Sequence, residues 1–292
     1  MYAYFMALPA VRQPNRAHEM RFPYDKRNLL AGWRALYFRE GVYQDDPKQS
    51  REWNRGAYLV EGLGHCNACH AARNTWGAVK QDEPTAGGLI PILNWYAPSL
   101  TSNRETGLGD WEVAEVVELL KTGVSPRGAV FGPMAEVVHD SLQHLTEADL
   151  AAMAAYLKSQ READAADDDA RIRVTRQQSE QLMKQGRRVY EKSCSGCHRA
   201  DGKGVLRIYP PLANNEAILM RNPVNAIRMV LNGGFPPSTH GNRRPYGMPP
   251  FAHTLNDNDV AAAVTYVRRS WGNGASTVSP LEVATARGVP LD

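Results

Sequence analysis

All four cysteines of the chain stand in two pairs, Cys66-Asn67-Ala68-Cys69 and Cys194-Ser195-Gly196-Cys197, and each pair runs directly into a histidine, His70 or His198. Two thiols with two residues between them lie on one helical turn, close enough to form thioethers with the two vinyl groups on one edge of a porphyrin. The imidazole that follows then falls beneath the ring centre, where it can coordinate iron. This is the attachment signature of haem c, written twice, and it predicts two covalently bound haem c groups.

One histidine leaves one axial position of each iron to fill. A thioether there favours the reduced metal and raises its potential, which suits electron transfer. Among nine methionines, Met134 follows Phe131-Gly132-Pro133 and Met248 lies in Tyr246-Gly247-Met248-Pro249-Pro250. Glycine and proline interrupt regular structure at both places, so these two are the expected ligands, carried on loops. Met153, Met220 and Met229 sit among aliphatic residues at helical spacing and read as core. His240 and His253 flank Met248, His65 precedes Cys66, and His139 and His144 follow Met134; all five read as surface or loop histidines.

A ligating histidine donates its second ring N–H to a fixed acceptor. Pro98 and Pro211, 28 and 13 residues beyond His70 and His198, are expected to offer their carbonyls. Arg104 and Trp111 stand near enough to a propionate in sequence, although capping and core packing are the favoured readings. Zinc or dithiol chemistry fits poorly, because a histidine follows both pairs and a methionine loop follows each. The alternative from another class is a di-haem peroxidase. It needs an iron with a vacant or displaceable axial position, and a methionine in each unit argues for relay instead.

The elements that must position these groups repeat. Leu145-Thr146-Glu147-Ala148-Asp149 leads a helix reaching Tyr156, and Leu255-Asn256-Asp257-Asn258-Asp259 leads one reaching Tyr266, with Leu, Asp and Tyr at the same offsets. Thr146 with Asp149 resembles a capping box, and Asn256 with Asp259 is a looser version. Gly186, Tyr190 and Cys194 recur every fourth residue, as on a helix whose small residue permits close packing; Gly56 and Val60 begin a similar run before Cys66. The expected fold is all-α, with two tandem class I-like cytochrome c units at 53–160 and 182–271. A solvated linker is expected over 161–181, including Asp167-Asp168-Asp169, and a tail over 272–292. Residues 1–52 read as a remnant terminal helix, with Tyr4 set against Tyr156, followed by an arm carrying Leu29, Leu30, Trp33, Leu36 and Tyr37 on a helical stripe.

At 292 residues the chain exceeds one small domain. Its formal charge of +3 is too mild and dispersed for a nucleic-acid surface. The uncharged stretches 1–11 and 87–101, the second part of an uncharged run over 84–103 that holds three prolines, do not supply the roughly 18 consecutive apolar residues of a spanning helix. No basic leader or cleavage site precedes Leu8. Covalent haem attachment takes place outside the bacterial cytoplasmic membrane, so a periplasmic location is expected, and with it a chain truncated at its N-terminus.

The run from Trp53-Asn54-Arg55-Gly56-Ala57-Tyr58-Leu59-Val60 to Cys66, then Gly132-Pro133-Met134-Ala135-Glu136-Val137-Val138 and 149–157, resembles the cytochrome c subunit of membrane-associated bacterial alcohol, aldehyde and gluconate dehydrogenases. The likeness covers nearly the whole chain and is strongest over 51–160. It implies a redox subunit rather than an enzyme in its own right. Such a subunit takes electrons from a flavin or quinone-cofactor catalytic subunit and passes them to ubiquinone or a terminal oxidase, and its membrane association is peripheral. It also implies Cys66, Cys69, His70 and Met134 around one haem and Cys194, Cys197, His198 and Met248 around the other. The family carries three haems, and the first motif is missing here, so a third is expected in a full-length form.

Overall fold

The structure, a computed structural model, describes residues 2–80, 85–90, 93–103, 107–162 and 175–289. Each sequence repeat folds as a crossed pair of helices. In the first lobe a leading helix, Arg51–Ala57, starts where the Ser50 side chain accepts the Trp53 N–H, and it runs on as a wider π-helical turn, Tyr58–Leu63. Its partner is a closing helix, Glu147–Lys158, whose first turn is capped by Thr146 accepting from the Asp149 N–H. In the second lobe the leading helix is Arg176–Ser193, with a reciprocal Thr175–Gln178 capping box, and the closing helix is Asp257–Arg269, capped by Asn256.

Glycine sets both crossings. A Cβ on Gly56 would lie 2.0 Å from the Ala152 carbonyl oxygen and 2.8 Å from Tyr156 Cβ; one on Gly186 would lie 2.1 Å from the Ala262 oxygen and 2.7 Å from Tyr266 Cβ. The residue before each glycine ties the pair at its edge. Arg55 donates to Asp149 at 2.7 Å and Gln185 to Asp259 at 2.9 Å. The Tyr of each closing helix then packs its ring on an aromatic of the leading helix, Trp53 against Tyr156 and Tyr190 against Tyr266. Around these crossings lie two cores, one containing Val60, Val116, Val138, Leu150 and Met153, the other Ile227, Leu231, Val260 and Val264.

The expected outline changes in three respects. Helices build both cores, yet two short antiparallel hairpins are present, Gly88–Ile90 with Trp95–Ala97 and Val124–Ser125 with Gly128–Ala129. The stretch 272–292 is no free tail through its described residues. It carries a capped helix, Pro280–Arg287, and gives Val278, Val283 and Ala286 to the second core. Finally, the chain divides into Met1–Val42 and Tyr43–Asp292, so both lobes belong to one compact unit and the arm ends ten residues before the expected boundary at 52. The cause is Asn54, which accepts from the Tyr43 hydroxyl and the Asp46 N–H and donates back to the Asp46 carbonyl, stitching 43–50 onto the leading helix.

The arm by itself contains helices Tyr2–Met6 and Arg27–Tyr37, with Leu29, Leu30 and Leu36 exposed. Asp167, Asp168 and Asp169 lie outside the described residues, while 176–181 already belongs to the second leading helix. Among the described residues no helix is long and apolar enough to cross a membrane.

Gly186→Ala forces its methyl against backbone, which cannot rotate away, and is expected to cost about 3 kcal/mol. Gly274→Ala, where an added methyl meets nothing within 4 Å, should stay within about 0.5 kcal/mol of the parent. Urea unfolding of the mature protein followed by circular dichroism measures both.

Candidate functional site

In the first lobe the motif closes into one helical turn, Asn67–His70, with the His70 N–H donating to the Cys66 carbonyl at 2.9 Å. His70 is 8% exposed, and its Nδ1 lies 2.8 Å from the Pro98 carbonyl oxygen, the acceptor expected from the sequence. A carbonyl can only accept, so Nδ1 carries the hydrogen and Nε2 keeps its lone pair for a metal. Burial lowers the pKa of this imidazole, with the bond to Pro98 acting the other way, and the neutral form a ligand requires is favoured. The strand Trp95–Ala97 delivers Pro98, and the Gly87 N–H caps the His70 carbonyl at 2.8 Å. Cys66 is half-buried and its thiol is pushed up to about 11 by burial, whereas Cys69 is exposed.

Met134 does not sit on a loop. It stands in the first turn of the helix Pro133–Asp140, half-buried against the first core. Proline at the first helical position starts a helix instead of breaking one, so Gly132-Pro133 marks a helix start and not an interruption. The irregular residue is Gly132, at φ 56°, where a Cβ would come 2.7 Å from the Trp95 indole. Trp95 therefore braces both sides of this centre, three residues before Pro98 and packed beneath the segment that leads to Met134.

In the second lobe, Ser195–His198 forms the equivalent turn and the His198 N–H donates to the Cys194 carbonyl at 3.0 Å. Here the acceptor for His198 Nδ1 is the carbonyl of Pro210, at 3.1 Å, and not that of Pro211, which instead takes the Asn215 amide at 2.7 Å. Gly204, at φ 61°, and the tight turn closed by the Val205–Tyr209 bridge set the register. A sequence signal for this exists: Leu100 stands two residues after Pro98 and Leu212 two residues after Pro210. Burial lowers the His198 pKa, opposed by the bond to Pro210, and raises the Cys194 thiol to about 11.

Met248 does lie on a loop, held by a two-way bridge to Gly234 with N–H to oxygen distances of 2.8 and 3.0 Å. Gly233, at φ 65°, makes the close turn beneath it; a Cβ there would sit 2.2 Å from the Met248 carbonyl oxygen. On the motif side, the Cys197 thiol beside Tyr209 pushes its hydroxyl pKa upward. The Tyr209 ring lies 5.7 Å from that of Tyr246, and Phe235 packs over Gly247. Leu206, Phe235 and Tyr246 are each more than half exposed.

The remaining sequence candidates have other employment. His139 Nδ1 meets the Ser238 carbonyl at 2.6 Å, and His240 engages Gln143 through both its backbone N–H and its ring, with His144 against its edge. His65 and His253 are exposed. Trp111 is buried in the first core with the Arg127 guanidinium 5.9 Å from its ring centre; Arg104 lies outside the described residues. Met153 and Met220 are buried as expected.

Both centres fit haem c by their donor chemistry: two thiols on one turn, an oriented neutral imidazole, and a thioether in the same lobe. Around the second, several apolar side chains sit in water beside those donors, surface that a flat apolar ring attached at Cys194 and Cys197 would cover.

The sequence profile of the family described as cytochrome c matches residues 54–161 and 183–271. The chain is 37% identical over 310 aligned positions to the cytochrome c subunit of alcohol dehydrogenase (quinone) from Gluconobacter oxydans, covering 100% of this chain and 64% of that protein. It is 35% identical to the cytochrome c subunit of gluconate 2-dehydrogenase from Pantoea cypripedii, over 98% of this chain and 68% of that one. It is 32% identical to the cytochrome subunit of fructose dehydrogenase from Gluconobacter japonicus, over 98% of this chain and 63% of that protein. The chain thus spans about two thirds of the length of these three dehydrogenase subunits.

Gly233→Ala would both strain a positive-φ position and push on the Met248 backbone, at a cost of at least about 2 kcal/mol. Urea unfolding of the purified variant beside the parent, followed by circular dichroism, measures that cost.

Proposed function

The chain belongs to the cytochrome c family, and from that premise we propose that it relays single electrons as the redox subunit of a dehydrogenase complex. Covalently bound haem c, when present, supplies the one-electron chemistry by cycling its iron between ferric and ferrous states. The chain's own residues do the rest. Cys66 and Cys69, and Cys194 and Cys197, would tether two such groups. His70 and His198 would supply the nitrogen ligands, oriented by the Pro98 and Pro210 carbonyls, and Met134 and Met248 would complete the two axial sets. On this reading the two lobes are class I-like units in tandem, the second beginning with the helix Arg176–Ser193 and including the helix Pro280–Arg287.

The observation that carries the proposal is that each lobe holds an imidazole oriented by a backbone carbonyl, His70 buried and His198 half-buried, and a methionine close in sequence or space to a positive-φ glycine. With a histidine and a methionine as its protein ligands, each iron would have no open site for a substrate, which suits outer-sphere transfer. That separates relay from the di-haem peroxidase reading, which the relatives' names do not support either. Those names make a dehydrogenase catalytic subunit the donor of choice, and the family resemblance would give that partner a flavin or quinone cofactor. Ubiquinone or a terminal oxidase would accept the electrons. Since haem attachment follows export, the complex would work in the periplasm, at the membrane surface through its partners.

Mass spectrometry of the natively matured protein should find two porphyrins per chain. Met134→Ala and Met248→Ala should each keep both, lose about half the charge-transfer band, and lower one midpoint potential by on the order of 0.1 V. The parent protein should be reduced by a dehydrogenase subunit and should show no turnover with peroxide. A chain without covalent porphyrin, or one that turns over peroxide, would overturn the reading.

A further inference from the structure

The loop that orients His70 is not held by its own lobe alone. The helix Val224–Asn232 of the second lobe docks on the strand Trp95–Ala97 of the first. Asn225 grips the middle residue of that strand in both directions: its Oδ1 accepts the Tyr96 N–H at 2.8 Å and its Nδ2 donates to the Tyr96 carbonyl at 2.7 Å. Tyr96, Met220 and Val224 form a small buried cluster beneath the contact. One turn along the helix, Arg228 is 2% exposed and sets its guanidinium 5.0 Å from the centre of the Trp95 ring. Trp95 is also the ring against Gly132, two residues before Met134, and the strand ends where Pro98 begins. The second lobe therefore touches the supports of both axial ligands of the first.

We infer that Asn225 and Arg228 are positioning residues through which the second lobe sets the redox potential of the haem held by the first. The inference rests on the proposed function, since it needs a haem at Cys66 and Cys69. The two residues act by different physics, with opposite signs. The Asn225 clamp fixes Pro98 and so keeps the Nδ1–H···O bond short. A firm bond there makes the imidazole more basic and favours the ferric state, so loosening it raises the midpoint. Arg228 brings a buried positive charge onto Trp95, the ring packed against Gly132 two residues before Met134, and a cation favours the less positive, ferrous state. Removing it lowers the midpoint.

The test is a spectroelectrochemical titration of the mature two-haem protein and its Asn225→Ala, Arg228→Gln and Arg228→Lys variants, with the first haem identified by its displacement in Met134→Ala. Expected is a higher first-haem midpoint in Asn225→Ala, a lower one in Arg228→Gln, a value near the parent in Arg228→Lys, and an unmoved second haem throughout. Displacement of both variants in one direction, equal displacement of both haems, or no displacement would overturn the inference while leaving the proposed function standing. Mass spectrometry of the same samples separates the two: absence of porphyrin at Cys66 and Cys69 in the parent removes the function, and this inference with it. Should Asn225→Ala fail to fold, the Arg228 pair decides alone, because loss of packing would not be rescued by lysine with the sign that charge requires.

Discussion

Everything at the two centres depends on a hydrogen bond from a histidine Nδ1 to a backbone carbonyl. Without it either nitrogen of His70 or His198 could carry the proton, and no bond would choose the ring's orientation. With it, the tautomer, the ring plane and the direction of the Nε2 lone pair follow together. A carbonyl offers this only if its own chain is fixed, and the two lobes fix it differently. Pro98 follows a strand paired in a hairpin and gripped by Asn225. Pro210 follows a tight turn anchored by Gly204 and backed by the Asn215 amide on the next carbonyl. Proline suits both places because it donates no N–H that would need a partner and restricts its own φ.

The repeat explains why the frame is legible in the sequence while the loops resist. Gly56 with Tyr156 and Gly186 with Tyr266 recur because a close helix crossing tolerates no Cβ and demands the same aromatic above it. Such constraints are local in sequence and periodic, so spacing alone exposes them. The acceptor for His198 falls one residue earlier than expected because two prolines stand side by side, and only the following leucine, Leu212 matching Leu100, distinguishes them. Met134 is legible as a candidate ligand but its helix is not, since Gly-Pro reads as a break until one asks whether the proline lies before or inside the first turn.

What has no sequence signature at all is the long-range part. Arg268 reads as a basic residue in the last turn of a helix, complementing its dipole. In the fold it is 1% exposed and donates to the carbonyls of Ile218, Met220 and Ser276 and to the Ser276 hydroxyl. One buried guanidinium thereby ties together the end of the short helix Glu216–Leu219, the closing helix and the segment expected to be a tail. A cation so deeply buried is tolerable only where its donors are met, and its acceptors come from stretches of chain that no pattern links.

The same reasoning bears on how the lobes cohere. The ion pairs across their contact, Arg207 with Glu118 at 2.5 Å and Arg127 with Glu216 at 3.6 Å, involve side chains partly open to water. Pairs of that kind contribute little and fade with salt. The bonds in which a side chain of one lobe meets backbone of the other are of a different kind: Asn225 on Tyr96, Thr239 on the Thr122 carbonyl and His139 on the Ser238 carbonyl. They fix register, because a backbone group cannot swing to a substitute partner as a lysine or glutamate can. A contact built on backbone acceptors holds the two lobes at one separation at ordinary ionic strength, where charge alone would not, and the electron relay proposed above would need that constancy more than a strong attraction.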